Sequence, residues 1–116
     1  MKKVIHVDNS EFFRKQVVSF LSSEKIEVES FDSAQDAGMV IAGGGADMVI
    51  MGLTFADIEG EEFLSKAVEA FAGPVIVLSS SVGEAKKLTA LGAKAVIDKS
   101  GSWKEELKPH LSELKK

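Results

Sequence analysis

Five short apolar runs, each followed by a segment of helical period, constrain this chain's fold more than anything else in it. Val4-Ile5-His6-Val7 is β-branched and ends at Asp8. After it Phe13, Val17, Phe20 and Leu21 recur at helical spacing among polar residues, and Asn9 or Ser10 can cap the helix they mark. Ile26 to Phe31 alternates like a strand. Ser33 can cap a second helix, with Ala37, Val40 and Ile41 facing inward, and Gly43-Gly44-Gly45 stops it. Met48 to Met51 is a third strand. Phe63, Leu64, Ala67, Val68 and Phe71 mark a third helix opening at Gly60. Gly73-Pro74 is a turn signal before the fourth strand, Val75-Ile76-Val77-Leu78. Val82, Ala85, Leu88 and Leu91 mark a helix that stops at Gly92, and Ala95-Val96-Ile97 is a fifth strand. Ser102 is placed to cap a last helix bearing Trp103, Leu107, Leu111 and Leu114. Pro109 falls inside that helix, so a kink or break is expected there.

Strands alternating with helices in this way argue for an α/β fold, a parallel sheet covered on both faces. Right-handed crossovers leave few topologies. A doubly wound, flavodoxin-like sheet of five strands in the order 2-1-3-4-5, with five helices, suits the count best. The 116 residues suffice for one core, so residues 1–116 read as a single domain. In such a sheet ligands bind at the carboxyl ends of the central strands. Those ends carry Asp8 and Asn9 from the first strand and Gly52 from the third. The fourth strand delivers Ser79 and the fifth Lys99.

Composition narrows the function classes. The net charge is −4 and there is no basic stripe, which argues against nucleic-acid binding through phosphate contacts by this chain alone. There are no cysteines, so thiolate metal sites and disulfides are excluded. No apolar run approaches the roughly 20 residues of a membrane helix, and the N-terminus lacks a signal peptide's apolar stretch. A cytoplasmic location is the expectation, with no membrane partner. No nucleophile–base pair stands out, so an enzyme is not expected. His6 reads as a packed strand residue and His110 as exposed, and neither has a partner at metal-ligand spacing. Gly43-Gly44-Gly45 lacks the lysine and hydroxyl of a phosphate-binding loop. Taken alone, Asp8 or Ser79 could be a helix cap, Lys99 a surface lysine, Gly52 a turn glycine, and Trp103 a core-edge residue or a partner anchor.

Five separated features, in order and suitably spaced, resemble a response-regulator receiver domain of two-component signalling, of the chemotaxis-regulator type. Val7-Asp8-Asn9-Ser10 is similar to that family's paired acids after the first strand, with the second acid replaced by an amide. Gly52 falls where the family has its phosphoacceptor aspartate. Gly60 matches the glycine opening the third helix, after Glu59 where an aspartate is usual. Pro74 to Ser80 resembles the fourth strand and its terminal hydroxyl residue, and Ala93 to Lys99 the fifth strand and its lysine. Ser100 stands where a proline is usual.

The resemblance implies a degenerate receiver. Phosphoryl transfer needs a carboxylate nucleophile and a divalent cation. The family's direct carboxylate ligands for Mg²⁺ correspond here to Asn9 and Gly52. That leaves the Thr54 carbonyl and, through water, Asp8, so Mg²⁺ is expected to bind weakly or not at all, and no other cofactor is implied. Lys99 should then turn to Asp8. The family's switch aromatic corresponds to Val96, which has no ring to swing. Expected partners are a histidine kinase or an output or adaptor protein, met through the fourth helix, fifth strand and fifth helix, a face that includes Lys86, Lys87, Val96 and Trp103. Two rival readings are a working receiver using Asp57 or Asp8 as a surrogate acceptor, and a flavodoxin-like binder of a small molecule. The acidic loop from Asp8 to Glu11 disfavours a phosphate-bearing ligand at that point.

Overall fold

The computed structural model describes every residue except Met1, Ala56 and Ser81, and for Val82 the backbone alone. The elements run β1 (Lys3–Val7), α1 (Glu11–Ser23), β2 (Glu27–Phe31), α2 (Ala34–Ala42), β3 (Met48–Met51), α3 (Gly60–Ala70), β4 (Val75–Ser79), a 3₁₀ turn (Val82–Glu84), α4 (Ala85–Ala90), β5 (Ala95–Asp98) and α5 (Trp103–Lys115). All strand pairings are parallel and the order is β2-β1-β3-β4-β5. This is the flavodoxin-like sheet that the alternation implies.

The two-residue period of the strands divides the core between the faces. Val4, Met48, Ile50, Ile76, Leu78 and Ile97 point one way and meet Phe13, Val17 and Leu21 of α1 and Trp103, Leu107 and Leu111 of α5. Ile5, Val7, Val49, Met51, Val75 and Val77 point the other way and meet α2, α3 and α4 through Ala37, Ile41, Phe63, Leu64 and Leu88. β3 and β4 are buried along their whole length, which is why they read as uninterrupted apolar runs.

Caps set four helix ends where expected. The Ser10 hydroxyl accepts the Phe13 N–H at 3.2 Å, and the Ser33 hydroxyl accepts that of Asp36 at 3.3 Å. α2 ends at Gly43, with Gly44 at φ +81° beyond it. α4 ends in a Schellman turn, with Ala93 N–H on the Leu88 carbonyl and Gly92 at φ +116°. Gly60 is required by contact, since a Cβ there would overlap the backbone of Leu53.

Five local expectations need correction. Phe71 does not belong to α3: it is the cap residue, in extended conformation, and it packs back on the core. Ile26 precedes β2, because it closes the turn that ends α1. Ser102 stands at the N-cap of α5, but its ψ of 55° carries the hydroxyl away from the first-turn N–H groups and it makes no capping bond. Pro109 does not break α5, which is continuous from Trp103 to Lys115. The proline lies on the exposed side, so the Glu105 carbonyl that loses its partner faces solvent, where the loss costs least. His110 is half-buried, one turn before Leu114. The side chain of Val82, expected on the inner face of the fourth helix, lies outside the described residues.

Trp103 is a core residue. It is 6% exposed and receives the rings of Phe13 and Phe20 edge-on, at centroid distances of 5.2 and 5.5 Å. It therefore offers no ring to a partner. Of the face expected to meet partners, the exposed Lys86 and Lys87 and the half-buried Val96 remain.

Candidate functional site

The carboxyl ends of β1, β3, β4 and β5 converge through the register of the sheet. Val7 pairs with Met51, Met51 with Val77, and Ser79 with Asp98. The residues that follow, Asp8, Gly52 and Lys99, are thereby set side by side, with Ser79 ending β4. Backbone hydrogen bonds continue past the strands: Gly52 N–H donates to the Val7 carbonyl at 2.9 Å, and Lys99 N–H to the Ser79 carbonyl at 3.1 Å.

Asp8 is the centre of this cleft and only 2% exposed. Its Oδ1 accepts the Ser10 N–H at 2.8 Å, an Asx turn that leads into α1. Its Oδ2 lies 3.3 Å from Lys99 Nζ. Its backbone carbonyl accepts from Arg14 Nη1 at 2.6 Å. The Lys99 ammonium also stands 4.8 Å from the centroid of the Phe13 ring, so it is held between a carboxylate and an aromatic face. Lys99 is a cleft residue with about a quarter of its side chain exposed, and Asp8 is the nearly buried partner.

Gly52 is buried, and the space above it is taken. A Cβ on residue 52 would stand 2.8 Å from Asp8 Oδ2 and 3.2 Å from its Cγ. The Asp8 carboxylate thus occupies the volume a side chain on β3 would enter. Asn9 and Thr54 are exposed at the rim, Ser79 is buried, and Val96 sits half-buried on β5 against the α2–α3–α4 core. The structure brings Asp8, Gly52, Ser79 and Lys99 together and leaves the Asn9 and Thr54 side chains outward.

Asp57, considered above as a surrogate acceptor, is bonded to the start of α2. Its carboxylate accepts from the Ser33 hydroxyl at 3.1 Å, from Gln35 N–H at 2.9 Å and from Ala34 N–H at 3.3 Å. It is a second cap for α2, delivered from the loop after β3. The Gln35 N–H bond, followed by the Ser33 and Ala34 bonds, holds its pKa below the usual carboxylate value. No local pattern signals this, since the partners are more than twenty residues apart. The stacking of Lys99 on Phe13 was equally invisible in the sequence, because it joins β5 to α1.

His6 lies two residues before Asp8 on the same face of β1 and is fully buried. Its Nδ1 is 3.0 Å from the Ser30 hydroxyl, while Nε2 has no partner among the described residues. Burial pushes its pKa down to about 4, against the pull of the Asp8 carboxylate and with the push of Arg14 and Lys99.

Comparison with known proteins agrees with this fold. The family model described as the response regulator receiver domain matches residues 4–111. The chain is 33% identical over 121 residues to the chemotaxis protein CheY of Treponema pallidum (strain Nichols), across 97% of this chain and 83% of that protein. The BeF3-activated N-terminal receiver domain of RstA from Klebsiella pneumoniae superposes with a TM-score of 0.88 at 19% identity, over 99% of this chain and 100% of that one. The response regulator TrrA of Thermotoga maritima, in complex with Mg(2+)-BeF, gives a TM-score of 0.87 at 23% identity, over 98% and 99%. At such identities these two structures speak for the fold alone. With nearly its whole length matched by the family model and by a relative one-third identical, the chain belongs to the response regulator receiver domain family.

Proposed function

We propose that this receiver domain of two-component signalling is not phosphorylated at the usual site and acts by binding other proteins. The observation that carries the reading is the Asp8 carboxylate, seated where a side chain on residue 52 would stand and joined to Lys99. An aspartyl phosphate needs a carboxylate at the end of β3, and Gly52 supplies none. The lysine that would meet a phosphoryl oxygen is instead engaged with the carboxylate of β1.

The donor set does not suit Mg²⁺. Of the Asp8 oxygens, one accepts a backbone N–H and the other faces an ammonium. Asn9 is neutral and Gly52 has no side chain. An octahedral ion that needs carboxylate charge finds little here.

A surrogate acceptor is poorly supported. In-line attack requires an oxygen free to approach phosphorus in a well-defined geometry. The Asp8 oxygens are buried and engaged, and the Asp57 oxygens cap α2. A histidine kinase or an output or adaptor protein remains the expected partner, met through α4, β5 and α5. On that face Lys87 Nζ is held 2.9 Å from Glu61 of α3, so its charge is partly committed within the domain.

The test is incubation of the purified protein with a small phosphodonor in Mg²⁺, read by intact mass. The expected result is no phosphate adduct. A stoichiometric adduct mapped to Asp8 or Asp57 overturns the reading in favour of a working receiver.

A further inference from the structure

Opposite the cleft, at the amino ends of the strands, a pocket of about 290 Å³ lies between the sheet and the end of α5. Met48 opens β3 and Pro74 stands before β4. With the half-buried Leu114 of α5 they give the pocket an apolar floor. Lys2 borders it just before β1 and Lys94 just before β5, while His110, Glu113 and Lys116 border it from α5.

Charge sets this pocket apart. Its lining has three lysines against one acid, in a chain with 18 acids and 14 bases. That acid, Glu113, is already met by Lys116, at 3.4 Å. The ion pairs among the described residues involve neither Lys2 nor Lys94. Asp47, next to Met48, accepts the Lys3 N–H at 2.8 Å. A lysine at the carboxyl end of a helix offsets the helix dipole, which accounts for Lys116. Lys2 and Lys94 stand at strand starts, where no comparable dipole exists. Two exposed ammonium groups thus border an apolar floor, and the one acid of the lining is engaged elsewhere.

The strand order sets how far apart they stand. β3 and β4 lie between β1 and β5, so three strand spacings, about 14 Å, separate the two backbones. A compact inorganic ion has no surface to offer the floor. An elongated anion with a charged group near each end and an apolar middle meets both lysines and covers Met48, Pro74 and Leu114.

We propose that this pocket is a binding site for a small, elongated organic dianion of the α,ω-dicarboxylate class. One carboxylate pairs with Lys2 and the other with Lys94, and the chain between them lies on the floor. The volume suits a ligand of that size, at the lower end of small-molecule sites. The inference does not depend on whether the cleft accepts phosphate, since the two sites lie at opposite ends of the strands.

The probes are decanedioate, decanoate, butanedioate and decanediamine, each titrated into isotope-labelled protein at fixed ionic strength. An acetylated Glu-Leu-Leu-Glu amide stands for an acidic segment of a protein. Decanedioate is expected to shift the backbone amide resonances of Lys2, Met48, Lys94 and Leu114. It should bind about threefold or more tightly than decanoate, the scale of one exposed ion pair, and more tightly than butanedioate, which is too short to span the floor. Lys2→Glu and Lys94→Glu should each weaken it by about threefold or more. Lys66→Glu reverses an unpaired lysine on α3 with the same change in net charge, and should leave affinity unchanged. All three lysines are on the surface, and thermal melts verify the fold. If either pocket reversal lowers the midpoint, Lys94→Gln carries the test. Equal binding of decanoate, butanedioate or the diamine overturns the proposal. So does unchanged affinity in the Lys2 and Lys94 variants, an equal loss in Lys66→Glu, shifts confined to other faces, or tighter binding of the acidic peptide than of decanedioate.

Discussion

Asp8 Oδ2 lies 2.8 Å from the point a Cβ on residue 52 would occupy, so the carboxylate of β1 and any side chain at the end of β3 compete for one volume. Gly52→Ala should therefore displace Asp8 from Lys99 or strain the strand ends. The expected loss is about 1–2 kcal/mol, as for a modest overpacking. Asp8→Ala should cost a similar ~1–2 kcal/mol, since it strands a part-buried ammonium and leaves the Ser10 N–H without its acceptor. The double variant should lose less than the two singles together, because the alanine at 52 then meets no carboxylate. Urea midpoints of the four proteins at constant m-value measure this. Strict additivity would show that the two residues do not share the space.

His6 makes stability depend on pH. Its pKa is lowered in the folded state to about 4, mainly by burial, against about 6.5 unfolded. As pH falls through 6.5 the unfolded chain takes up the proton first, so stability drops until pH reaches the folded value near 4. The full effect is about 3 kcal/mol at roughly 1.4 kcal/mol per pH unit. Above pH 7 the residue contributes no slope. His6→Gln removes the titration while keeping a polar group towards Ser30. The difference in unfolding free energy between parent and variant should be flat above pH 7 and change steadily between pH 6.5 and 4. Parallel profiles over that range would refute the assignment.

Lys25 is the single described residue other than glycine with a positive φ, 61°. It occupies the position after the C-cap of α1, where Ile26 N–H reaches the Leu21 carbonyl and Lys25 N–H reaches that of Ser22. This is a Schellman motif, completed by apolar contact between the buried Ile26 and Leu21. Glycine adopts that backbone without the penalty a Cβ brings. Lys25→Gly should raise the thermal midpoint, with a gain of about 0.5–1 kcal/mol after the entropy of the freer unfolded chain is allowed for. A lowered midpoint would mean the lysine side chain contributes more than its conformation costs.

These cases mark how far the residues alone reach. The sheet was legible because each strand is a short apolar run and each helix a 3.6-residue period, and both signals are local. Ser10, Ser33 and Gly92 were legible for the same reason, since a cap acts on residues three or four away. Pro109 misled because its effect depends on which side of the helix faces solvent, and that depends on the whole of α5 seating Trp103, Leu107 and Leu111. The cleft was legible as a set of strand ends, with Gly52 among them. The turn of Lys99 to Asp8 was expected and is present at 3.3 Å. That the same carboxylate also fills the space above Gly52 was not legible, because it depends on the Ser10 N–H, Lys99 and the empty Cβ position at once. The Asp57 cap on α2 escaped for a related reason: its partners are neighbours only after β3 has paired with β1.

Placing acids at residues 52 and 9 is the most direct test of the proposed reading. Gly52→Asp alone places a nucleophile beside Ser79 and Lys99, but its Cβ meets Asp8 and its charge adds a second carboxylate to a space now holding one. Like charges held together disfavour joint ionisation, so the new aspartate gains little as a nucleophile until Asp8 has moved. Labelling by a small phosphodonor in Mg²⁺ should be weak. Asn9→Asp alone should give none, since it supplies metal charge without an acceptor. Combined, the second acid gives the cation a carboxylate on β1 and the new residue 52 an ion to share its charge. Phosphorylation stoichiometry, followed by intact mass over a Mg²⁺ titration, should then exceed the sum of the two singles. Labelling of the double variant no greater than that of Gly52→Asp would mean that Asn9 has no part in metal binding. Labelling in neither would mean that the Asp8–Lys99 pair holds the strand ends against the geometry phosphoryl transfer requires.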